Sequence, residues 1–404
     1  MPANTADTGK ATTTLAQGLS TNTSGPDASH EARTADKAAV HSQKPGKSGK
    51  SGKPGETRKA EKAEKAAKLK RGATLKTRST QPAGPPYASR PEVMTFADEL
   101  AERRSLDRSW VRRAIGQAQH TPAIVRLMQP PSQTFVKNWR VYRSRFIDSK
   151  RIAAGVQFWN AHQTELARAE KEYGVPGHLI VGILGVETIY GQDTGKFRVM
   201  DALTTLAFDF PASHPRAQER SEFFKRELEQ FLSQQSRLGT DPMLPRGSYA
   251  GAMGMPQFMP SSWVRFAIDF DGDNTIDLWN SPADAIGSVA NYFKAFNWQP
   301  GMPTHYPVSF DTEKLDMDAL MAPDILPTFS LSSFAAKGAV LKGAALQHTG
   351  PLALIELLNG PGEPSYVAGT ENFYAITRYN WSSYYAMAVI ELAEAVAREM
   401  KNKP

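Results

Sequence analysis

Hydrophobic residues are distributed in three different ways along the 404-residue chain. Residues 1–90 contain almost no large apolar side chains, so burial cannot offset the entropy that this segment would lose on folding. From Pro91 to residue 302 the apolar positions recur with helical spacing. Residues 303–372 break into shorter segments punctuated by Pro and Gly, and a last helical pattern follows in residues 373–404.

These patterns predict a mainly α-helical protein with a small β-containing insertion, a fold of the α+β class. We expect a disordered tail over residues 1–90 and a helical domain over 91–302. A small β-containing domain should occupy 303–372, and residues 373–404 should return as helix to the first domain. No stretch approaches the roughly 20 apolar residues that a membrane-spanning helix needs.

The net charge of +7 belongs to the tail and not to the folded part. Residues 44–71 hold eleven Lys or Arg against three Glu, a net charge of +8, so the remainder carries about −1. The segment is typical of a flexible, solubilising tether. It could also bind an anionic envelope polymer by charge alone. No aromatic residue lies between its lysines, which argues against specific recognition of nucleic acid.

The segment VPGHLIVGILGVETIYG, residues 175–191, predicts a short helix that begins with Pro176 and ends in a left-handed cap at Gly191. Its only carboxylate, Glu187, follows apolar residues at the spacing i, i+3, i+4, i+7 on one face, namely Ile180, Ile183 and Leu184. Gly182 and Gly185 each cost roughly 1 kcal/mol relative to Ala in a helix. They indicate close approach of another helix or of a ligand.

A carboxyl group on an apolar face is partly desolvated, and in a last helical turn it meets the negative end of the helix dipole. Both effects favour the protonated acid. Glycoside cleavage needs such an acid, because the leaving sugar oxygen must receive a proton as its bond breaks. The alternative is a structural Glu paired with an Arg, and the helix read alone favours that alternative.

A second segment, GSYAGAMGMPQFMPSSW at residues 247–263, has the composition of a loop whose backbone lies close to a ligand. Ser248 and Gln257 could supply hydrogen bonds there. Several aromatic side chains could stack on sugar rings, although each taken singly is more often a core residue: Tyr142, Tyr249, Phe258, Tyr292, Tyr379 and Tyr385.

These segments resemble the membrane-bound lytic murein transglycosylase B family over residues 92–402. The matching motifs appear in the family's order: WRVYRSRFI, YGVPGHLIVGILGVETIYG, DALTTLAFDFP, GSYAGAMGMPQFMPSSW, NSPADAIGSVANYFKAFNW and FYAITRYNWSSYYAMAV. The resemblance implies a lysozyme-like helical core, a surrounding α domain and a small inserted β domain. It also implies cleavage of the β-1,4 bond between N-acetylmuramic acid and N-acetylglucosamine, without water, to a 1,6-anhydromuramoyl product.

In the mechanism that the resemblance implies, Glu187 protonates the glycosidic oxygen and then acts as base for the muramoyl 6-hydroxyl. This fits the absence of a second carboxylate beside Glu187 on its helix face, since the substrate supplies the nucleophile. The resemblance also implies substrate contacts for nine residues: Tyr142, Ser248, Gln257, Phe258, Tyr292, Tyr379, Asn380, Tyr385 and, in a segment that departs from the family pattern, Arg220.

The acidic loop DFDGDNTIDLWN resembles an EF-hand calcium loop. Six residues fall at ligand positions: Asp269, Asp271, Asp273, Thr275, Asp277 and Asn280. Asn274 replaces the turn glycine and Asn280 replaces the bidentate Glu. We therefore expect weak, structural calcium binding, and the alternative is an empty acidic turn held by Asx hydrogen bonds.

Other chemistries lack support in the sequence. The chain has no Cys, no zinc-binding His pair and no nucleophile-elbow motif, and we expect no cofactor in catalysis. Two alternatives to the transglycosylase stay open, a lysozyme-type hydrolase and a non-catalytic wall-binding scaffold. We expect a monomer that acts on peptidoglycan strands in the periplasm of the bacterial envelope, although the first residues show no secretory signal.

Overall fold

The computed structural model describes residues 86–130 and 137–402. Most of the predicted tail therefore lies outside the described residues. Residues 86–90 are ordered, so the folded part begins before the predicted boundary at residue 90. A short 3₁₀ turn, Tyr87–Ser89, buries the Tyr87 ring completely, and its hydroxyl donates a 2.6 Å hydrogen bond to Asp209 Oδ2.

Helices form most of the described residues, which confirms the mainly α prediction. In chain order they are α1 Pro91–Arg104, α2 Arg108–Gln117, α3 Pro122–Leu127, α4 Trp139–Arg143, α5 Ser149–Ala161, α6 Gln163–Tyr173, α7 Gly177–Thr188, α8 Val199–Phe208, α9 Ala217–Leu238, α10 Pro260–Phe266, α11 Pro282–Ala295, α12 Met317–Met321, α13 Leu331–Ala336, α14 Glu371–Tyr379 and α15 Ser383–Asn402. In the described ranges, none of them is long and apolar enough to cross a membrane.

The strands are short and antiparallel. They are β1 Phe197–Arg198, β2 Arg246–Gly247, β3 His305–Pro307, β4 Ser309–Phe310, β5 Ala339–Val340, β6 Ala353–Asn359 and β7 Gly362–Gly369. A three-stranded sheet has the order β3-β7-β6, and β4 pairs with β5. These two sheets enclose a small core of their own that includes Leu320, Phe334 and Leu354. β1 pairs with β2 in the helical part.

The centre of the fold is α7, on which α5, α6, α11 and α15 pack. Residues 179–188 of α7 are all buried, so the helix is apolar on every side and has no solvent face. A methyl group at Gly182 would lie 2.6 Å from the Val389 carbonyl oxygen of α15. The predicted close approach at Gly182 is thus an approach of two helices.

Candidate active site

Glu187 lies in the last turn of α7 and is 6% exposed. Helix α7 is shorter than predicted at both ends, so each end lies closer to Glu187. Pro176 is the N-cap, outside the helix, and the left-handed cap is Ile189 with φ 53°. Gly191 is also left-handed, at φ 85°, but it follows two further left-handed residues, Ile189 and Tyr190. A β-branched residue in this conformation is strained, so the turn after Glu187 is held by its surroundings.

Those surroundings include hydrogen bonds to residues 247–263, the glycine-rich loop. The Thr188 hydroxyl donates a 2.8 Å hydrogen bond to the Met255 carbonyl and accepts a 3.0 Å bond from the Gly191 amide. Thr188 is 1% exposed. The residue after Glu187 thereby fixes both the end of α7 and the position of the loop against it.

Tyr385, in the first turn of α15, donates a 2.7 Å hydrogen bond to Oε1 of Glu187. Its ring stacks on Tyr379 at 6.4 Å between centroids and 11° between planes. The Tyr379 hydroxyl donates in turn to the Pro256 carbonyl at 2.5 Å. This series of contacts joins α7, both C-terminal helices and the glycine-rich loop around one carboxyl group.

Tyr142 is half-buried in α4, where its ring stacks on Trp139 with centroids 6.2 Å apart. Burial raises the pKa of the Tyr142 hydroxyl, and the nearby charge of Glu187 raises it further. Tyr142 therefore stays neutral through the physiological range. Its neutral hydroxyl group lies close enough to Glu187 to interact with that charge.

Side chains of the glycine-rich loop stabilise it through hydrogen bonds to the backbone. The Ser248 hydroxyl accepts hydrogen bonds from the backbone amides of Ala250 and Ala252, at 3.2 and 3.0 Å. Gln257 has a left-handed backbone, φ 54°, and its Nε2 donates to the Thr194 and Gly254 carbonyls at 3.1 and 2.9 Å. A left-handed backbone at a glutamine destabilises the fold by of order 1–3 kcal/mol. Strained backbone conformations of this kind are concentrated at ligand-binding sites.

The predicted substrate-binding residues differ in exposure. Tyr142 and Ser248 are partly exposed, whereas the others are buried: Arg220, Gln257, Phe258, Tyr292, Tyr379, Asn380 and Tyr385. Phe258, Tyr292 and Tyr379 pack against one another with centroids 4.7 to 5.9 Å apart. They form a wall of the site and not an open stacking platform.

The polar groups of Tyr292, Arg220 and Asn380 differ in their interaction partners. The Tyr292 hydroxyl donates to the Arg378 carbonyl at 2.6 Å. The Arg220 guanidinium, on α9, lies 5.8 Å from the Phe210 ring. Asn380, which caps α14, has a buried Oδ1 with no hydrogen-bond partner among the described residues. An unpartnered acceptor beside Tyr379 is free to bind a donor group of a ligand.

In the acidic loop, one oxygen from each of Asp269, Asp271 and Asp273 lies within 4.8 Å of the others. Asn274 adopts the left-handed conformation, φ 69°, that the EF-hand pattern requires at its position. Asp277 instead accepts from the backbone amides of Trp279 and Asn280, and the Asn280 amide group donates to it at 2.9 Å. The structure thus brings three of the six predicted ligands together.

The sequence reasoning missed Asp284, which is 1% exposed. Its carboxylate accepts hydrogen bonds from the Phe270 amide at 2.7 Å and the Asp277 amide at 2.8 Å, so it holds both ends of the acidic loop. Burial raises the pKa of Asp284, although the two hydrogen bonds act to lower it. Ser281, the N-cap of α11, was an available signal, because its capping motif places Asp284 in the first turn.

Residues 88–394 match the family model described as transglycosylase SLT domain. The membrane-bound lytic murein transglycosylase B of Escherichia coli (strain K12) is 40% identical over 331 residues, which cover 78% of this chain and 85% of that protein. The soluble lytic transglycosylase SltB1 of Pseudomonas aeruginosa is 42% identical, with a TM-score of 0.68, over 76% of this chain and 99% of that one. The Escherichia coli lytic transglycosylase Slt35 in complex with calcium is 39% identical, with a TM-score of 0.66, over 78% and 95%.

The matched residues include α7 with Glu187, the glycine-rich loop and the first turn of α15, which are the elements that meet at the site. The family resemblance read from the sequence is confirmed. This chain belongs to the lytic transglycosylase family, enzymes that cleave the glycan strands of peptidoglycan and leave a 1,6-anhydromuramoyl product.

Proposed function

We propose that this enzyme cuts the β-1,4 bond between N-acetylmuramic acid and N-acetylglucosamine with Glu187 as its single acid and base. The observation that carries the proposal is the buried Glu187 carboxyl group, oriented by Tyr385 and alone on its helix. A carboxyl group fixed in an apolar site can give up a proton and take one back without rearrangement of solvent.

In the first step the Glu187 carboxyl group gives its proton to the glycosidic oxygen, and the bond from that oxygen to the muramoyl C1 breaks. The Glu187 carboxylate then takes the proton of the muramoyl C6 hydroxyl, whose oxygen forms a bond to C1. The product is the 1,6-anhydro sugar, and Glu187 ends protonated as it began. The hydrogen bond from Tyr385 to Oε1 would hold the Glu187 carboxyl group in place for both proton transfers.

A lysozyme-type hydrolase is the second candidate, and a scaffold that only binds the wall is the third. Most glycoside hydrolases use a second carboxylate as nucleophile or base, and the sequence offers none beside Glu187 on its own helix. Mass spectrometry of the fragments released from purified sacculi tests all three. Anhydro ends support the proposal, reducing ends would establish hydrolysis, and no released fragments would establish the scaffold.

Substrate contacts are proposed for three groups of residues. Tyr142 and Ser248, which are partly exposed, are suited to the open rim of the groove. Asn380 and Gln257 supply polar atoms from the wall, beside the rings of Phe258, Tyr292, Tyr379 and Tyr385. Arg220, on α9, would contribute to the substrate site from its position over the Phe210 ring. These residues would orient a glycan strand so that its glycosidic oxygen faces Glu187.

We also propose that the acidic loop binds calcium weakly. Oxygen ligands spaced as in Asp269, Asp271 and Asp273 suit this ion, and the Escherichia coli Slt35 relative has been solved with calcium. The Thr275 carbonyl and Asp277 would complete the shell, with Asn280 offering an amide oxygen in place of a bidentate Glu. The ion would stabilise the loop and take no part in the cleavage.

We propose that the enzyme acts in the periplasm of the bacterial cell envelope, because its proposed substrate lies there; the Escherichia coli relative is named as membrane-bound. The basic residues 44–71 would hold it near an anionic envelope polymer. We propose a monomer with a helical domain over 91–302, the small β domain over 303–372 and a helical return over 373–404, in which α7 and α15 carry the chemistry.

A further inference from the structure

The tip of the β6–β7 hairpin, residues 358–362 of the small β domain, contacts the helix that carries Tyr142. Asn359, at the end of β6, forms an isolated antiparallel bridge with Asn138, the residue that caps α4. Helix α4 is only five residues long, which is too short for a helix to be stable alone. The position of α4 therefore depends on the elements that contact it.

Gly360 suits this contact because it has no side chain. Its amide donates a 3.3 Å hydrogen bond to the Lys137 carbonyl. Its backbone is left-handed, φ 67°, and a methyl group at this position would lie 2.7 Å from Nδ2 of Asn138. Asn138 cannot rotate away at no cost, since its Oδ1 accepts a 3.2 Å hydrogen bond from the Val141 amide and thereby caps α4. A larger residue at position 360 would therefore break that cap or displace α4.

A second contact links the hairpin tip to Tyr142 through an aromatic residue of α15. The Tyr384 hydroxyl accepts a 2.7 Å hydrogen bond from the Leu358 amide and donates a 3.3 Å bond to the Leu358 carbonyl. The Tyr384 ring packs edge-on against Trp139 and Tyr142 of α4, with centroids 5.9 and 5.7 Å away. The same hairpin tip thus holds the start of α4 and fixes a ring that packs on Tyr142.

We propose that the hairpin tip positions the Tyr142 hydroxyl against the glycan beside Glu187, and that Gly360 is the positioning residue of this contact. The inference rests on the proposed function, in which Tyr142 contacts the glycan. Burial raises the pKa of Tyr142 and the charge of Glu187 raises it further, which makes the two groups neighbours. The small β domain acts on the reaction through α4, without supplying to the substrate a group from the hairpin tip.

The test is a double-mutant cycle in which kcat/KM is measured for the formation of anhydro ends from soluble glycan strands. A misplacement of about 1 Å can lower a rate by roughly 100-fold, so we expect Gly360→Ala to lower kcat/KM roughly 10- to 100-fold. Tyr142→Phe should cause a loss of similar size. In the Tyr142→Phe background, Gly360→Ala should lower kcat/KM by no more than about twofold, because its effect passes through the missing hydroxyl.

Gly343→Ala is the matched control. It places Ala at a left-handed position of the same domain, φ 60°, where a methyl group would meet nothing within 4 Å. It should keep the wild-type kcat/KM. Asn138→Ser removes Nδ2 and keeps an oxygen that can cap α4, so its addition to Gly360→Ala should restore most of the lost activity. The melting temperature of each variant should be measured to show that it is folded in the assay.

Tyr384→Phe tests the second contact and does not depend on the folding of Gly360→Ala. It removes the two hydrogen bonds to Leu358 and keeps the ring. Loss of these bonds should lower kcat/KM about three- to tenfold in the otherwise wild-type enzyme. In the Tyr142→Phe background the loss should again stay within about twofold.

Losses from Gly360→Ala and Tyr384→Phe that were as large in the Tyr142→Phe background as in the wild type would overturn the positioning role of the hairpin. Wild-type kcat/KM for Tyr142→Phe, equal values for Gly360→Ala and Gly343→Ala, or no recovery with Asn138→Ser would overturn it as well. In each of these cases the wild-type enzyme would still form anhydro ends. Absence of anhydro ends from the wild-type reaction would instead overturn the proposed function.

Discussion

The hydroxyl group of Tyr385 donates to Oε1 of Glu187 across a sequence separation of 198 residues, and both side chains are buried. The bond restrains Oε1 of the Glu187 carboxyl group. Stacking on Tyr379 fixes the Tyr385 ring, and the Tyr379 hydroxyl is itself held by the glycine-rich loop. Tyr385 is therefore a positioning residue for Glu187 in addition to any contact that it makes with the glycan.

Tyr385→Phe should remove this bond and keep the stacked ring. Hydrogen bonds to charged groups contribute about 1.5–3 kcal/mol, so kcat/KM should fall roughly 10- to 150-fold. Tyr374→Phe, also on a C-terminal helix, is the control, because the Tyr374 ring packs on Trp381 away from this network. The measurement is the rate at which each variant releases anhydro-muropeptides. Equal rates for Tyr385→Phe and Tyr374→Phe would contradict the positioning role of Tyr385.

Glu187→Gln should abolish nearly all turnover without unfolding the protein, because Gln keeps the shape of the side chain and can still accept from Tyr385. General acid and base catalysis together contribute at least about 10³-fold. Release of anhydro ends from sacculi and the melting temperature should be measured on one preparation. Wild-type turnover by a folded Gln variant would exclude Glu187 as the catalytic group.

Gly182→Ala should destabilise the fold, because its new methyl group would lie 2.6 Å from a backbone oxygen of α15 that cannot rotate away. Overpacking of this kind typically costs about 1–3 kcal/mol. Gly177→Ala in the same helix meets its nearest side chain at an ordinary 3.4 Å and serves as the control. Chemical denaturation should give a lower free energy of unfolding for the Gly182 variant alone.

Calcium should raise the melting temperature, since an ion that binds only the folded state stabilises it by about 2.7 kcal/mol at 100 times Kd. Millimolar calcium is the concentration to use for so weak a site. Asp273→Asn should abolish the response while keeping the hydrogen bond that Asp273 accepts from the Thr275 amide. Magnesium serves as the control ion. If calcium and magnesium gave the same small shift in melting temperature in both the wild type and Asp273→Asn, the acidic loop would not be a calcium site.

Stability should fall as the pH drops below about 6.5. Burial lowers the pKa of His178, at the start of α7, and of His305 in β3 below the ordinary value of 6.5. The unfolded chain then binds protons that the folded chain does not, so the stabilisation is complete above pH 6.5 and is lost toward the lower, folded pKa. The double variant His178→Gln, His305→Gln should show a flatter melting temperature from pH 7 to 5.5. A slope equal to that of the wild type would contradict this.

Local patterns in the sequence predict local features of this site. The helix around Glu187, the glycine-rich loop and the left-handed Asn274 all follow from short-range spacing and backbone preference. The exact cap of α7 does not, because Ile189 is held in a strained conformation by tertiary contacts that overcome its preference for extended structure. The apolar face assigned to Glu187 was also too narrow, since α7 is buried on every side.

Long-range pairings could not be predicted without the resemblance. Nothing in residues 175–191 indicates that Tyr385 will supply the hydrogen bond to Glu187, and nothing near Phe270 indicates that Asp284 will hold the acidic loop. The aromatic residues illustrate the same point. Each residue type taken singly favoured a core position over sugar stacking, and Phe258, Tyr292 and Tyr379 do pack against one another, but only the fold reveals which rings meet.

The contact between α7 and α15 also sets the order in which the chain acquires its activity. During synthesis Glu187 leaves the ribosome long before Tyr385, and α7 has no solvent face with which to fold stably alone. A nascent chain, or one cut ahead of α15, therefore holds an acid without the group that orients it. Any activity that depends on the Tyr385–Glu187 bond therefore requires that nearly all of the folded sequence has been made.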